Sequence, residues 1–366
     1  MPLDLKSRAQ GCAALGCGTG CLGIVVWVLY LIGVSIAGAL SSNAVVRQFE
    51  REGFRLTNYS SDYGSMSLAP VAPADFDNAA LERLIALFQQ KNGRSLDLNL
   101  DDCPRLTNVD PLAALPSEGL SSLSMNNCKN LVNLDGLKGQ QYLRSLKLNS
   151  CEKLKDVDAL AGVRHLQSIE LKNCIALRNV NGLANHSGPS DLRLTGCTAL
   201  SNIDGLRGAS ELGRLDLSGC RQLKSIDPLK SCSRLYELNL SHCVELTKVS
   251  ALAGLSSLGR VNLSGCPKLN DLSPLASLKS LRWLSLADSP QLTDLKWISK
   301  FPVDQWQRGL ASLDVQRCPR LIDVAPLLPR RGLTELDLTG CPVPPRDVAI
   351  LRRAFPEAHI QFRERP

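Results

Sequence analysis

Histidine is scarce in this 366-residue chain: only His165, His186, His242 and His359 occur, and no two have metal-ligand spacing. H-E-x-x-H, the phosphate loop, G-x-G-x-x-G and G-x-S-x-G are all missing. The repeating part of the chain holds no C-x-x-C pair, which removes the usual zinc framework. His242 and Cys243 are adjacent, but neighbours on a strand point to opposite faces, so they are not a catalytic dyad. No enzyme, cofactor, metal or small-molecule substrate is therefore expected. Aromatic residues make up only 4% of the chain, so the placing of its four Trp is informative. With 42 Lys and Arg against 35 Asp and Glu, neither sign of charge dominates strongly.

Cysteine, by contrast, is plentiful and periodic. Cys128, Cys151, Cys174, Cys197, Cys220, Cys243 and Cys266 lie 23 residues apart, and Cys103 precedes them by 25. The next slot holds Ser289, and the series resumes at Cys318 and Cys341. A fixed period in this range means one small unit stacked many times. Aligned on the Cys, 212–229 reads LGRLDLSGCRQLKSIDPL, 235–252 LYELNLSHCVELTKVSAL and 258–275 LGRVNLSGCPKLNDLSPL. In Leu215-Asp216-Leu217 the apolar residues alternate as in a strand with one buried face. After the Cys comes a short polar residue (Asp110, Asp135, Asp158, Asn181, Asp204, Asp227, Ser250, Ser273), followed by Pro at 111, 228 and 274. That pattern predicts a helix N-cap with Pro in the first helical position.

The shared frame, L-x-x-L-x-L-x-x-C-x-x-L, resembles the leucine-rich repeat over about residues 95–345. The D-P-L-A-x-L wording resembles the internalin-like class, with Cys in place of Asn and one more residue per repeat. The resemblance implies an α/β solenoid: a leucine-rich-repeat horseshoe with a concave parallel sheet and short helical or 3-10 segments on the convex side. Each Cys is expected to be a small buried thiol donating weakly to the turn backbone. Disulfides between stacked strands are disfavoured because their Cβ vectors run parallel. Cys232, aligned with Leu255, is expected in the core.

The expected organisation is a tail over 1–21, an apolar segment over 22–40, a cap region over 41–94, repeats over 95–343 and a C-terminal cap over 344–366. Leu22 to Leu40 carries no charge, and at 1.5 Å per residue it is long enough, at roughly 28 Å, to cross the hydrocarbon core of a bilayer. It is expected to be an uncleaved single-pass anchor with the repeats on the extracytoplasmic side. The alternatives are secretion after cleavage at Ala37-Gly38-Ala39, or repeats facing the cytoplasm. Residues 53–71 read as two strands about a turn. Asp77 is expected to cap a helix with Leu81, Leu84, Ile85 and Phe88 on one face and Gly93 as its stop. Together these would cover the open end of the core, as a solenoid requires.

Leucine-rich repeats in general serve as recognition scaffolds, which implies a protein partner. The concave positions include Arg214, Asp216, Glu237, Arg260, Asn262 and Trp283. They form a mixed polar face, too balanced to grip a phosphate backbone, so no nucleic acid is expected. Lys and Arg following the Cys column, from Arg105 to Arg320, would instead form a basic stripe along one edge. The unit from Ser289 to Cys318 spans 29 residues and is enriched in aromatics: Trp297, Phe301 and Trp306, with Trp283 just before it. Trp283, Trp297 and Trp306 are thus candidate partner-binding residues alongside Arg214, Asp216, Glu237, Arg260 and Asn262. The competing expectation is that Trp297, Phe301 and Trp306 fill the volume made by the insertion. A structural or scaffold role in a cell-envelope assembly is the alternative function.

Overall fold

The structure, a computed structural model, describes residues 44–60, 65–91, 93–184, 187–300, 309–329 and 332–363. The expected segments 1–21 and 22–40, with Phe301 and Trp306, lie outside the described residues. Among the described residues no helix is long and apolar enough to cross a membrane.

Among the described residues one sheet of fourteen strands runs in strict chain order. It opens with an antiparallel hairpin, β1 (Phe54–Ser60) and β2 (Ser65–Pro70). From β2 onward every pairing is parallel, through β3 (Ser95–Asn99) and β4 (Leu120–Ser124). Nine three-residue strands follow, β5 (Ser145–Lys147) to β13 (Glu335–Asp337). Four of them matter below: β8 (Arg214–Asp216), β9 (Glu237–Asn239), β10 (Arg260–Asn262) and β11 (Trp283–Ser285). After β12 (Ser312–Asp314), β13 and the terminal β14 (His359–Gln361) complete the sheet. Alternation places one Leu, Ile or Val per short strand in the core and turns its two neighbours outward. Leu215, Leu238, Val261 and Leu284 are all buried.

In each repeat the turn after the strand carries a left-handed residue immediately before the cysteine slot, and this column has no counterpart in the sequence expectations. Gly196, Gly219, Gly265 and Gly340 fill it in four repeats. Asp102, Asn127, Ser150, Asn173, His242, Asp288 and Arg317 fill it in the others, with φ between 55° and 61°. Gly, Asn, Asp and His are the residues most often found in this region, so Ser150 and Arg317 are held there by the turn around them.

The turn delivers the cysteine into the core. All eleven described Cys are buried and unpaired, as the sequence predicted. From Cys128 onward the Cys-slot thiols donate to a carbonyl of the preceding repeat, for example Cys128 to Leu100 at 3.1 Å, Cys174 to Leu148 at 3.0 Å and Cys341 to Val315 at 3.0 Å. Cys232, outside that column, is buried in the same core. Burial pushes three of these thiols up, Cys220 and Cys266 to about 12 and Cys232 to about 11. No group of three or more His, Cys, Asp or Glu that could hold a metal occurs among the described residues.

Opposite the sheet each repeat makes a short 3-10 turn, such as Asp110–Ala114 or Asp227–Ser231. The capping expectation is corrected here. Asp110 is itself the first residue of its turn, and Val109, in the cap position, makes no side-chain cap bond. The capping bond comes from two residues earlier than Asp110: Asn108 Oδ1 accepts from the Asp110 N–H at 3.1 Å. Asn133, Asn179, Asn202 and Asp271 repeat this bond in their own units. The reason is that a buried β-branched or Leu side chain must fill the position between, leaving the side-chain acceptor to reach across it as an Asx-turn.

Both ends are covered. Helix α1 (Asn78–Gln90) starts at Asp77, whose carboxylate accepts from the Ala80 N–H at 2.9 Å, and it buries Leu81, Leu84, Ile85 and Phe88. It is tied to the first repeat by Asn78, which donates to Asn108 Oδ1 at 2.7 Å. Gly93 is required because a Cβ there would stand 2.2 Å from the Phe88 ring. At the far end α2 (Pro345–Ala354) and β14 close the core over Val348, Leu351 and Ile360.

Candidate functional site

The outward positions of the short strands form rows that run across the sheet. In the first row the order is Asp191, Arg214, Glu237, Arg260, Trp283, Ser312, Glu335 and His359. Charge alternates along its first four members. Arg214 Nε donates to Glu237 Oε2 at 2.8 Å, and its Nη1 lies 3.9 Å from Asp191 Oδ2. Arg260 Nε stands 3.8 Å from Glu237 Oε1. The Arg260 guanidinium then lies over the Trp283 ring, 4.0 Å from its centroid. These side chains are part-exposed, so each pair adds no more than about 1 kcal/mol to stability. The row's larger effect is to hold its long side chains in place against one another.

Tyr236 belongs to the same patch and was not singled out from the sequence. Its ring lies 5.9 Å from Arg214 and crosses Gly213, where an added Cβ would stand 2.8 Å from it. A Gly in the column preceding a strand was the available signal.

The second row behaves differently. Asp216 Oδ1 accepts from the Ser218 N–H at 2.9 Å, and Asn262 Oδ1 from the Ser264 N–H at 3.0 Å. Asn239, Asp314 and Asp337 do the same one repeat after another. Asp216 and Asn262 therefore shape the strand exit, and only their remaining polar capacity faces outward. Toward the N-terminus a ladder replaces these local turns. Asp101 accepts from the Asn126 N–H, Asn126 from the Asn149 N–H and Asn149 from the Lys172 N–H, at 2.7, 3.0 and 2.9 Å. Burial alone would push Glu170 up, but hydrogen bonds from Asn149 and Lys172 hold its carboxyl below the ordinary range.

The candidate residues thus divide. Arg214, Glu237, Arg260 and Trp283 come together on the open face, with Asp216 and Asn262 beside them. Trp297 does not join them: it sits in the 3-10 turn Lys296–Lys300 on the opposite side and is buried. Its ring fills the volume of the enlarged repeat, the competing expectation for it. Trp306 lies outside the described residues.

At the C-terminal end of the face a depression of about 290 Å³ is bordered by Trp283, Ser312, Asp314, Glu335, Asp337 and His359. Among the described residues, none of its three carboxylates forms an ion pair. On the edge after the Cys column, Arg105 pairs with Asp75, Lys129 with Glu152 and Lys268 with Glu245. Lys153, Lys155, Arg178, Arg221, Lys224 and Lys248 make no ion pair among the described residues.

Residues 193–302 match the model of the BspA type leucine rich repeat region, in six copies. The fold is similar to that of an internalin (inlF) from Listeria monocytogenes, at 19% identity over 83% of each chain with a TM-score of 0.65. Two weaker likenesses carry no argument. One is to internalin C2 of the same species (20% identity, 62% of this chain and 83% of that one, TM-score 0.44). The other is to a leucine-rich-repeat protein of Leptospira interrogans (18%, 79% and 96%, 0.33). No curated protein matches.

Proposed function

We propose that this chain, whose repeats fold as a solenoid similar to that of an internalin, is a membrane-tethered leucine-rich-repeat protein that recognises a protein partner through its concave sheet face. The observation that carries this is the ordered row from Asp191 to Trp283. Its long side chains are held in place by one another and remain part-exposed. Aromatic and Arg side chains in such a setting are the usual anchors of protein interfaces. The tether is the uncharged segment from Leu22 to Leu40, with the repeats on the extracytoplasmic side. No catalytic step is part of the proposal.

A second reading, a scaffold component of an envelope assembly, draws support from the six basic residues of the edge that make no ion pair among the described residues. One experiment separates the two. The intact protein is crosslinked in its native membrane as wild type, as Trp283→Ala with Arg260→Ala, and with charge reversal at Lys155, Arg178, Arg221 and Lys224. The concave-face reading expects crosslinks to be lost in the double variant and kept after charge reversal; the opposite result would establish the scaffold reading. Reporter fusions at both ends test the tether, and a reporter active only outside the cytoplasm must be active at the C-terminus.

A further inference from the structure

We propose that the depression beside Trp283 is a slot for a guanidinium or ammonium side chain, so the partner presents an Arg or Lys to this end of the sheet. The inference rests on the concave-face reading and names the chemistry of its ligand.

The chain itself contains the template. In the first row Arg260 stands between a carboxylate, Glu237, and an aromatic ring, Trp283. Continuing along the same row, Trp283 is followed by Ser312 and then by another carboxylate, Glu335. The order is therefore carboxylate, Arg, ring, Ser, carboxylate. Ser312 occupies the place where an Arg would repeat the arrangement on the other flank of the ring, and its side chain is too short to do so. Strands in a sheet are about 4.8 Å apart, so Trp283 and Glu335 stand about 10 Å from one another with Ser312 as the floor between them. That gap accepts one flat cation, stacked on the indole and facing the carboxylate.

Charge complementarity supports the same occupant. Asp314 and Asp337 flank the slot in the second row. Asp337 uses one carboxylate oxygen on its own strand exit, whereas both oxygens of Asp314 are engaged, Oδ1 by the Gln316 N–H and Oδ2 by the Ser285 hydroxyl at 2.7 Å. Elsewhere on the first row the carboxylates Asp191 and Glu237 already have Arg partners from the chain. Here the first-row carboxylate, Glu335, has none among the described residues, and the volume of about 290 Å³ is large enough for the end of one long side chain.

The test is a titration of the full-length protein in lipid nanodiscs, carrying 5-fluorotryptophan, with the Trp283 resonance assigned from Trp283→Phe. The probes are acetyl-Gly-Arg-Gly-amide and the same peptide with citrulline, which keeps the shape and removes the charge. The Arg peptide is expected to shift the Trp283 resonance saturably, binding about tenfold more tightly than the citrulline peptide. Ser312→Leu, which fills the slot, and Glu335→Gln, which removes the facing charge, should each weaken it about fivefold or more. An equal response to both peptides, or an Arg response unchanged by Ser312→Leu, overturns the slot. The concave-face reading fails separately, on the membrane crosslinks of the Trp283 and Arg260 variant, which do not depend on these peptides.

Discussion

Between Cys128 and Cys266 every joint between repeats is closed in one way, whereas around the enlarged repeat the closure changes. In the regular run a buried thiol donates to a carbonyl of the previous unit, as Cys197 does to Leu171 at 2.9 Å and Cys243 to Leu217 at 3.2 Å. At the lapse, Ser289 is half-buried and makes no such bond to Leu263 among the described residues. The next joint, across the 29-residue unit, keeps its thiol bond from Cys318 to Leu286 at 3.3 Å. It also gains a bidentate surface pair, Arg317 to Asp288 at 2.7 and 2.6 Å. The difference teaches that the Cys slot supplies both a volume and a donor, and that the added surface tie falls at the joint after the lapse, where the thiol bond is kept.

The largest effect should be all-or-none. If the column is uniformly packed, the eleven described thiols will not react with a thiol reagent at pH 8 in the native protein, leaving at most Cys12, Cys17 and Cys21. All fourteen should react once the chain is denatured. Because burial lifts Cys220 and Cys266 to about 12, raising the pH to 9 should add little native-state reactivity at these two positions. Rapid native labelling at any repeat Cys would break the comparison.

Next in size is the donor itself. Cys220→Val keeps an apolar side chain but removes the thiol donor, leaving the Leu194 carbonyl only the Cys197 N–H, which should cost about 0.5–1.5 kcal/mol in denaturant unfolding. Cys220→Ser keeps a donor and should cost less. If the Val and Ser variants cost the same, packing alone explains the column.

The converse change, Ser289→Cys, should restore the regular joint and add about 0.5–1.5 kcal/mol, seen as slower hydrogen exchange at the Gly265 and Leu286 amides. No change in exchange would show that this joint is too open for the ladder.

The smallest effect belongs to the surface pair. Both partners are more than a third exposed, so Arg317→Ala should cost less than about 1 kcal/mol. The hydrogen bond from Arg317 holds the Asp288 carboxyl below the ordinary 3.8. A depressed carboxyl stabilises the fold above that value and loses the contribution as pH falls through its folded one. The gap between wild type and variant should therefore be present at pH 6 and shrink toward pH 2. A gap that widens on acidification would contradict the pairing.

The repeat, its strands, the buried cysteines and both caps were legible in the chain because each rests on a local period or a short-range signal. Leu215-Asp216-Leu217 reads as a strand without its neighbours, and Asp77 reads as a cap from the residues that follow. The left-handed column was not legible because its occupants differ chemically: a Gly in some units, His242 or Arg317 in others. Mixed Gly, Asn and Asp before the Cys was the signal available. The capping step was misplaced by two residues because Asp110 and Asn108 are both good caps, and only the buried position of Val109 decides between them.

By itself the sequence determined the solenoid, its unit length, its irregular unit and the set of outward-facing residues, since alternation and period are properties of the chain alone. The tertiary structure decided what those residues do. Stacking brings residues 23 apart to adjacent strands, and that placed Arg260 on Trp283, tied Asp216 and Asn262 to their own strand exits and buried Trp297 on the opposite side. Such pairings depend on which side chains meet across strands, and no local pattern specifies that.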